Sequence, residues 1–416
     1  MSVRHGITAA VCALALCTAS QAQKDEKLPR WKVDPYTKND PKKLAMLGYV
    51  SFGPFEFGQR GSKIVTTDEI EKHLSYEKIL WVETPHFRIG SMLPKWSVPT
   101  DPTVKKKLRE ELGRLQARLG DDKKIKVKPR VLDPWLRLHL FAQRAEEHYA
   151  LFSDWLGVKD EDFPKLGEKV MIGQGPYMGQ GPYLGQEGKY LLLMSESAES
   201  MNDYLKTYTG RDTEYGQRWN FKVPGSLIYG IATDMEKGRL KHDTALHANV
   251  VFNLTHNFID GYRHYSYETP VWIREGLAHW FERQISPRWN TFNATEGSPA
   301  DMKNTWKWEV ETRKIIASNK FSPFAETYTW RDYGQINFDD HVACWSRWDY
   351  LLSLGKDKFS QFMKGVKGRV DPKTYIADDS NLIEATRIAL REAYGLTPLT
   401  IDELWAEWVK ANYATN

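Results

Sequence analysis

The chain has 416 residues, 41% of them hydrophobic and including 16 Trp and 20 Tyr, which is enough apolar material for sizeable cores and excludes an intrinsically disordered protein. The formal net charge is only +4, and both signs are interspersed along the chain. That excludes the basic footprint of a nucleic-acid-binding protein, so no nucleic-acid partner is expected.

The N-terminus reads as a cleaved secretory signal over residues 1–22. Arg4 and His5 form a short basic start, residues 7–19 are apolar, and Ser20-Gln21-Ala22 offers small residues for cleavage after Ala22. The apolar run is too short to span a membrane, and no later stretch is long and uncharged enough, so no transmembrane segment is expected. The expected destination is secreted, periplasmic or otherwise extracytoplasmic. Anchoring as a lipoprotein through Cys17 is disfavoured, because Leu16 stands where a small residue should precede the cysteine. With Cys12 and Cys17 in the signal, Cys344 is the sole remaining cysteine, which rules out an intrachain disulfide or a thiolate metal cluster. Its setting, HVACWSRWDYLL, is an apolar helical pattern and predicts a buried thiol.

Residues 23–78 are polar and proline-containing, then aromatic and glycine-rich. They read as a lead-in that packs on the main body without a fold of its own. Residues 79–89 hold two short strand-like runs around Thr84-Pro85. Leu108, Leu112, Leu115 and Leu119 recur at helical spacing after Asp101-Pro102, and Asp133-Pro134 caps a longer helix that ends at Gly157. His139 and His148 lie on that helix, nine positions apart and on opposite faces. Residues 173–190 hold a tandem GQGPYM-GQGPYL-GQEGKY, read as a loop: either a flap presenting Tyr177 and Tyr183 to a ligand, or a duplicated surface loop. Residues 189–194 predict a buried strand, 197–208 a capped helix, and 227–232 another short strand. After a loop at 286–304, helices are expected over 306–318, 339–354 with its pattern continuing at 359–366, 383–394 and 401–413.

Residues 244–283 carry the chemistry. Asn249, Asn253, His256 and Asp260 recur at steps of 4, 3 and 4, so they share one helix face. A second helix follows Pro270 and bears Trp272-Ile273-Arg274-Glu275-Gly276-Leu277-Ala278-His279. This layout resembles the gluzincin-type zinc metallopeptidases, in which one helix carries His-Glu-x-x-His and a second carries the third ligand within W-[IL]-x-E-G-L-A. The resemblance covers about residues 79–416 in element order. It implies an α+β, zincin-like fold with a small mixed sheet and an active-site helix over 79–285, in which 227–232 is the edge strand beside the cleft, and a helical C-terminal subdomain over 286–416.

The second motif is nearly verbatim and assigns Glu275 the role of metal ligand. In the first, Phe252 stands at the first histidine, Asn253 at the general-base glutamate, and only His256 survives. A phenyl ring cannot ligate zinc, and an amide has no proton affinity near neutral pH. His256 and Glu275 alone would form a two-ligand site. His279, one turn after Glu275, and Asp260, one turn after His256, are the candidates to complete a rearranged set, Asp260 as an orienting group. His264 in the turn and His341 on the Trp-rich helix, near where related peptidases place an oxyanion-steadying Tyr, are further cleft candidates, whereas His247 falls on the wrong side. Without metal, a His256–Glu275 contact joined by Asn253 and filled by Phe252 would lock the helix pair.

The leading expectation is therefore an exported pseudo-enzyme that holds a peptide or protein ligand without a cofactor. The first alternative is a hydrolase with zinc on His256, Glu275 and His279. The second is a cell-wall or carbohydrate-binding protein using its many Trp faces.

Overall fold

The computed structural model describes residues 28–120, 125–170, 176–292, 306–374 and 378–415. The signal reading, with Cys12 and Cys17, lies outside the described residues, as does most of the expected loop at 286–304.

The lead-in carries more local structure than its composition suggested. It forms α1 (Pro41–Leu47), a hairpin of β1 (Glu56–Arg60) and β2 (Lys63–Thr66), and α2 (Thr67–His73). Asp40 caps α1, and Thr66 with Glu69 forms a capping box on α2. Phe57, fully buried, packs its ring on Trp81 and Tyr204 and fastens the hairpin to the body.

The central sheet begins with β3 (Leu80–Glu83) and β4 (Phe87–Ser91), antiparallel around Thr84-Pro85. A short pair, β5 (Trp96–Ser97) with β6 (Val131–Leu132), brackets α3 (Pro102–Arg118), which buries Leu108, Leu112 and Leu115. The long helix α4 (Pro134–Leu156) starts on the Asp133 cap and stops at Gly157, whose φ of 62° closes its C-terminus. There follow β7 (Tyr190–Ser195), α5 (Ala198–Thr209) capped by Ser197, β8 (Gln217–Phe221) and β9 (Ser226–Ala232). The strand order is β3-β4-β7-β9-β8, with β4, β7 and β9 parallel and both outer strands antiparallel.

This order corrects one expectation. The strand at 226–232 is internal, and the edge is β8, whose sequence Gln-Arg-Trp-Asn-Phe alternates polar and apolar only over its last four residues, the shortest run that marks a half-buried strand.

Two helices cross beside the sheet: α6 (Asp243–Gly261) and α7 (Val271–Ile285). The remainder of the described chain is helical: α8 (Trp308–Ser318), α9 (Phe324–Thr327), α10 (Phe338–Ser353), α11 (Lys356–Val366), α12 (Leu382–Tyr394) and α13 (Ile401–Asn412). The pattern expected to run on from 354 to 366 is broken at Gly355, where φ is 115°, so α11 is a separate helix. The whole is a mixed α+β structure with a small sheet and a helical C-terminal region. Trp272, Trp308, Trp348 and Trp405 are among its largest fully buried side chains, so these aromatics are core. Among the described residues no helix is long and apolar enough to cross a membrane.

The described part of the repeat, residues 176–190, is neither a free flap nor a simple surface loop. It is pinned beneath the C-terminus of α6: Gln186 Nε2 donates to the Gly261 carbonyl at 2.6 Å, Arg263 N–H donates to Leu184 O at 2.7 Å, and Leu184 is fully buried.

Candidate functional site

The position of α6 is set at both ends by buried charge. In its first turn, Asp243 accepts from Arg144 Nη1 at 2.7 Å and meets Arg137 Nη2 at 3.5 Å, both on α4. Burial alone would raise the Asp243 pKa; the two guanidiniums hold it below the usual carboxylate range. Near the other end, Asp260 accepts from Arg218 Nη1 of β8 at 3.0 Å and Arg274 Nη2 of α7 at 3.1 Å. Midway, Thr255 Oγ1 lies 2.9 Å from His148 Nε2. His148 is thus a core group on α4, and burial pushes its pKa down to about 3. His139 contacts Tyr49 Oη and Asp34 instead, far from any shared site with His148.

The packing of α7 on α10 explains the glycine in the motif. A Cβ at Gly276 would fall 2.3 Å from Trp348 Cδ1 and 2.7 Å from the Cys344 carbonyl. Glycine there lets α10 approach, and Trp348 Nε1 donates to the Trp272 carbonyl at 3.0 Å across the same contact. Cys344 is buried at this interface, as its apolar setting predicted. The close approach also brings His341, one turn before Cys344, to the level of Glu275 and His279.

The resulting cluster joins three helices. His256 Nε2 of α6 lies 3.2 Å from Glu275 Oε1 of α7. The other carboxylate oxygen, Oε2, lies 3.8 Å from His279 Nε2 and 3.7 Å from His341 Nδ1 of α10, while those two nitrogens are 3.0 Å apart. All four side chains are 0% exposed. Behind them, His279 Nδ1 lies 2.6 Å from Glu282 Oε1, and Glu282 also accepts the Thr291 backbone N–H. Burial is the main reason that the His256 and His279 pKa values fall well below the ordinary range, and it pushes His341 to about 3. Burial likewise pushes the Glu282 carboxyl well up. The imidazoles are neutral at neutral pH and carry lone pairs.

Phe252 packs on this cluster, its ring centroid 4.8 Å from that of His256 and 5.0 Å from that of His279. These residues therefore do not fit a zinc held as in the gluzincins: Phe252 stands at the position compared with the first ligand, and Asn253 at the one compared with the base. Three expectations are corrected here. Asp260 forms no hydrogen bond with His256; its Oδ2 accepts from the two guanidiniums instead. Asn253 does not join the His256–Glu275 contact; its Nδ2 donates to the Asn249 carbonyl at 3.0 Å and the residue lines the adjoining cleft. His264 does not enter the site but packs against the Tyr177 ring, at 6.0 Å. His247, as expected, lies on the far side of α6, 3.7 Å from Glu111.

Beside the cluster opens a cleft of about 290 Å³, lined by Gln217 and Arg218 of β8, Asn249 and Asn253 of α6, Phe292 and Tyr333. Tyr229 donates its hydroxyl to Asn249, fixing that amide. Phe292 forms the wall between the cleft and the histidines, its centroid 5.5 Å from His279 and 5.1 Å from His341. The Tyr333 ring is partly exposed, but its hydroxyl is buried and has no hydrogen-bond partner among the described residues. Tyr333, Arg218, Arg274 and Glu282 escaped the sequence reading. For Glu282 the spacing of three from His279 was an available signal; for Arg218 there was none.

No protein-family model matches this chain, and no match was found among the curated proteins or the solved structures.

Proposed function

We propose that the chain is a gluzincin-like shell that holds an extended peptide or protein segment without cutting it. Phe252 carries this reading. A phenyl ring stands where the first metal ligand belongs, with an amide in place of the base, while the partner helix keeps Glu275 facing His256 at 3.2 Å. The standard water-activating mechanism needs both missing groups. The α+β architecture, with a helix pair beside a small mixed sheet and helices to the C-terminus, supports the zincin-like assignment.

The cleft supports the binding half. It opens at the start of β8, where Gln217 and Arg218 line it; β8 is the outer strand of its sheet, and such an edge accepts an added strand through main-chain hydrogen bonds. Arg218, Asn253 and Tyr333 supply polar and aromatic contacts for its side chains. Export through the N-terminal signal belongs to the same proposal.

The test is selection of ten-residue peptides from a displayed library on the folded protein, followed by amide exchange of the complex. Bound peptides that protect the amides of residues 217–221 are expected. An empty selection, or protection confined to another surface, would contradict the reading.

A further inference from the structure

We infer that Glu275 Oε2, His279 Nε2 and His341 Nδ1 bind a divalent transition metal, a set that keeps the glutamate of the gluzincin pattern and takes one histidine from α7 and one from α10 in place of the two on α6, with His256 and Glu282 as positioning residues.

The distances carry the assignment. Bonds of 2.0–2.1 Å in a tetrahedral site set neighbouring ligand atoms about 3.3 Å apart. The three edges of this triangle are 3.0, 3.7 and 3.8 Å, so modest side-chain shifts place all three atoms around one ion. These are also the residues whose ligand atoms lie within 4.8 Å of one another. The family position offers only two ligands, His256 and Glu275, and Phe252 crowds it. Three ligands against two decides for the displaced position.

The surroundings match a built site. Metal-bound imidazoles ordinarily donate their other ring nitrogen to a carboxylate or carbonyl, which fixes the ring and its tautomer. Glu282, buried and held by the Thr291 N–H, stands 2.6 Å from His279 Nδ1 and leaves Nε2 directed at the triangle. His256 Nε2 lies 3.2 Å from the other oxygen of Glu275, within reach to orient the carboxylate, and neither of its buried ring nitrogens makes a hydrogen bond among the described residues. A two-nitrogen, one-oxygen donor set suits zinc, cobalt or nickel and not calcium or magnesium. Access runs through the cleft past Phe292, whose ring packs on both ligating histidines. The ion would tie α7 to α10 at the point where Gly276 brings them together. This inference does not depend on peptide binding, and either can fail alone.

The experiment is titration of the chelator-treated, folded chain with zinc by calorimetry, and with cobalt by its visible absorption. One ion per chain is expected, with the intense cobalt bands of a four-coordinate site. His341→Ala should abolish binding. Glu282→Gln should weaken it by about 10–100-fold, the usual cost of losing an orienting partner. His256→Ala should weaken it by a similar factor and not abolish it. Should His341→Ala fail to fold, zinc must still raise the melting temperature of the wild-type chain, and less so in Glu282→Gln. Absence of binding by the folded wild-type chain, or binding unchanged in both His341→Ala and Glu282→Gln, would overturn the assignment. So would binding lost in His256→Ala but kept in His341→Ala, which would return the ion to the family position.

Discussion

Arg274 and Glu275 are neighbours on α7 and serve two buried acidic centres in different ways. Arg274 turns to Asp260 and, with Arg218, meets its carboxylate at 3.0–3.1 Å. Glu275 turns the other way, to three imidazoles at 3.2, 3.7 and 3.8 Å. Guanidiniums are permanently charged, so the Asp260 centre is settled architecture. The imidazoles are held neutral by burial, so the Glu275 centre is a donor-rich pocket. The same two helices thus carry a fixed ionic lock at one level and a set of metal-competent lone pairs at the next.

Breaking the lock should cost most. Asp260→Ala leaves Arg274, 1% exposed, without its carboxylate, and loss of one partner from a buried pair typically costs about 3–5 kcal/mol. Urea unfolding measures it, and a loss under about 1 kcal/mol would show that water reaches these guanidiniums. Filling matters next. Phe252→Ala should cost about 3 kcal/mol by the cavity it opens, because the ring is fully buried against His256 and His279.

Buried neutral imidazoles also set an acid limb. The folded pKa of His148, about 3, lies below its unfolded value near 6.5. Its contribution is therefore complete above about pH 6.5 and is lost as pH falls toward 3, with a slope of up to about 1.4 kcal/mol per pH unit. His148→Gln, which keeps a polar partner for Thr255, should flatten that limb by one proton's worth; an unchanged slope would place the proton uptake elsewhere. The smallest effect belongs to the cleft rim. Tyr215, which also lines the cleft and is 43% exposed, can become Ala with a stability change within about 0.5 kcal/mol, yet peptide retained in the cleft should bind more weakly.

The helix pair, its turn and some caps were legible because local signals set them: Asp133 and Gly157 bracket α4, a 3.6-residue stripe marks α6 and Pro270 announces α7, whereas the caps at Asp40 and Thr66 went unread. The site was only half legible. Spacing placed Asp260 one turn from His256, but periodicity cannot say that an arginine from a short edge strand distant in sequence will claim it. His341 stood in the sequence as one cleft candidate among several. Its arrival beside Glu275 depends on how closely α10 packs at Gly276, a tertiary contact with no local signature beyond the glycine itself.

The most direct test of the central claim is to restore the two lost positions and measure zinc affinity. In a His341→Ala background, which removes the displaced site, Phe252→His with Asn253→Glu should bind one zinc per chain, lose it on His256→Ala, and cleave peptides in a chelator-sensitive manner. A folded chain with these substitutions that gains no zinc affinity would contradict the claim that α6 and α7 are a peptidase shell lacking only its first ligand and its base.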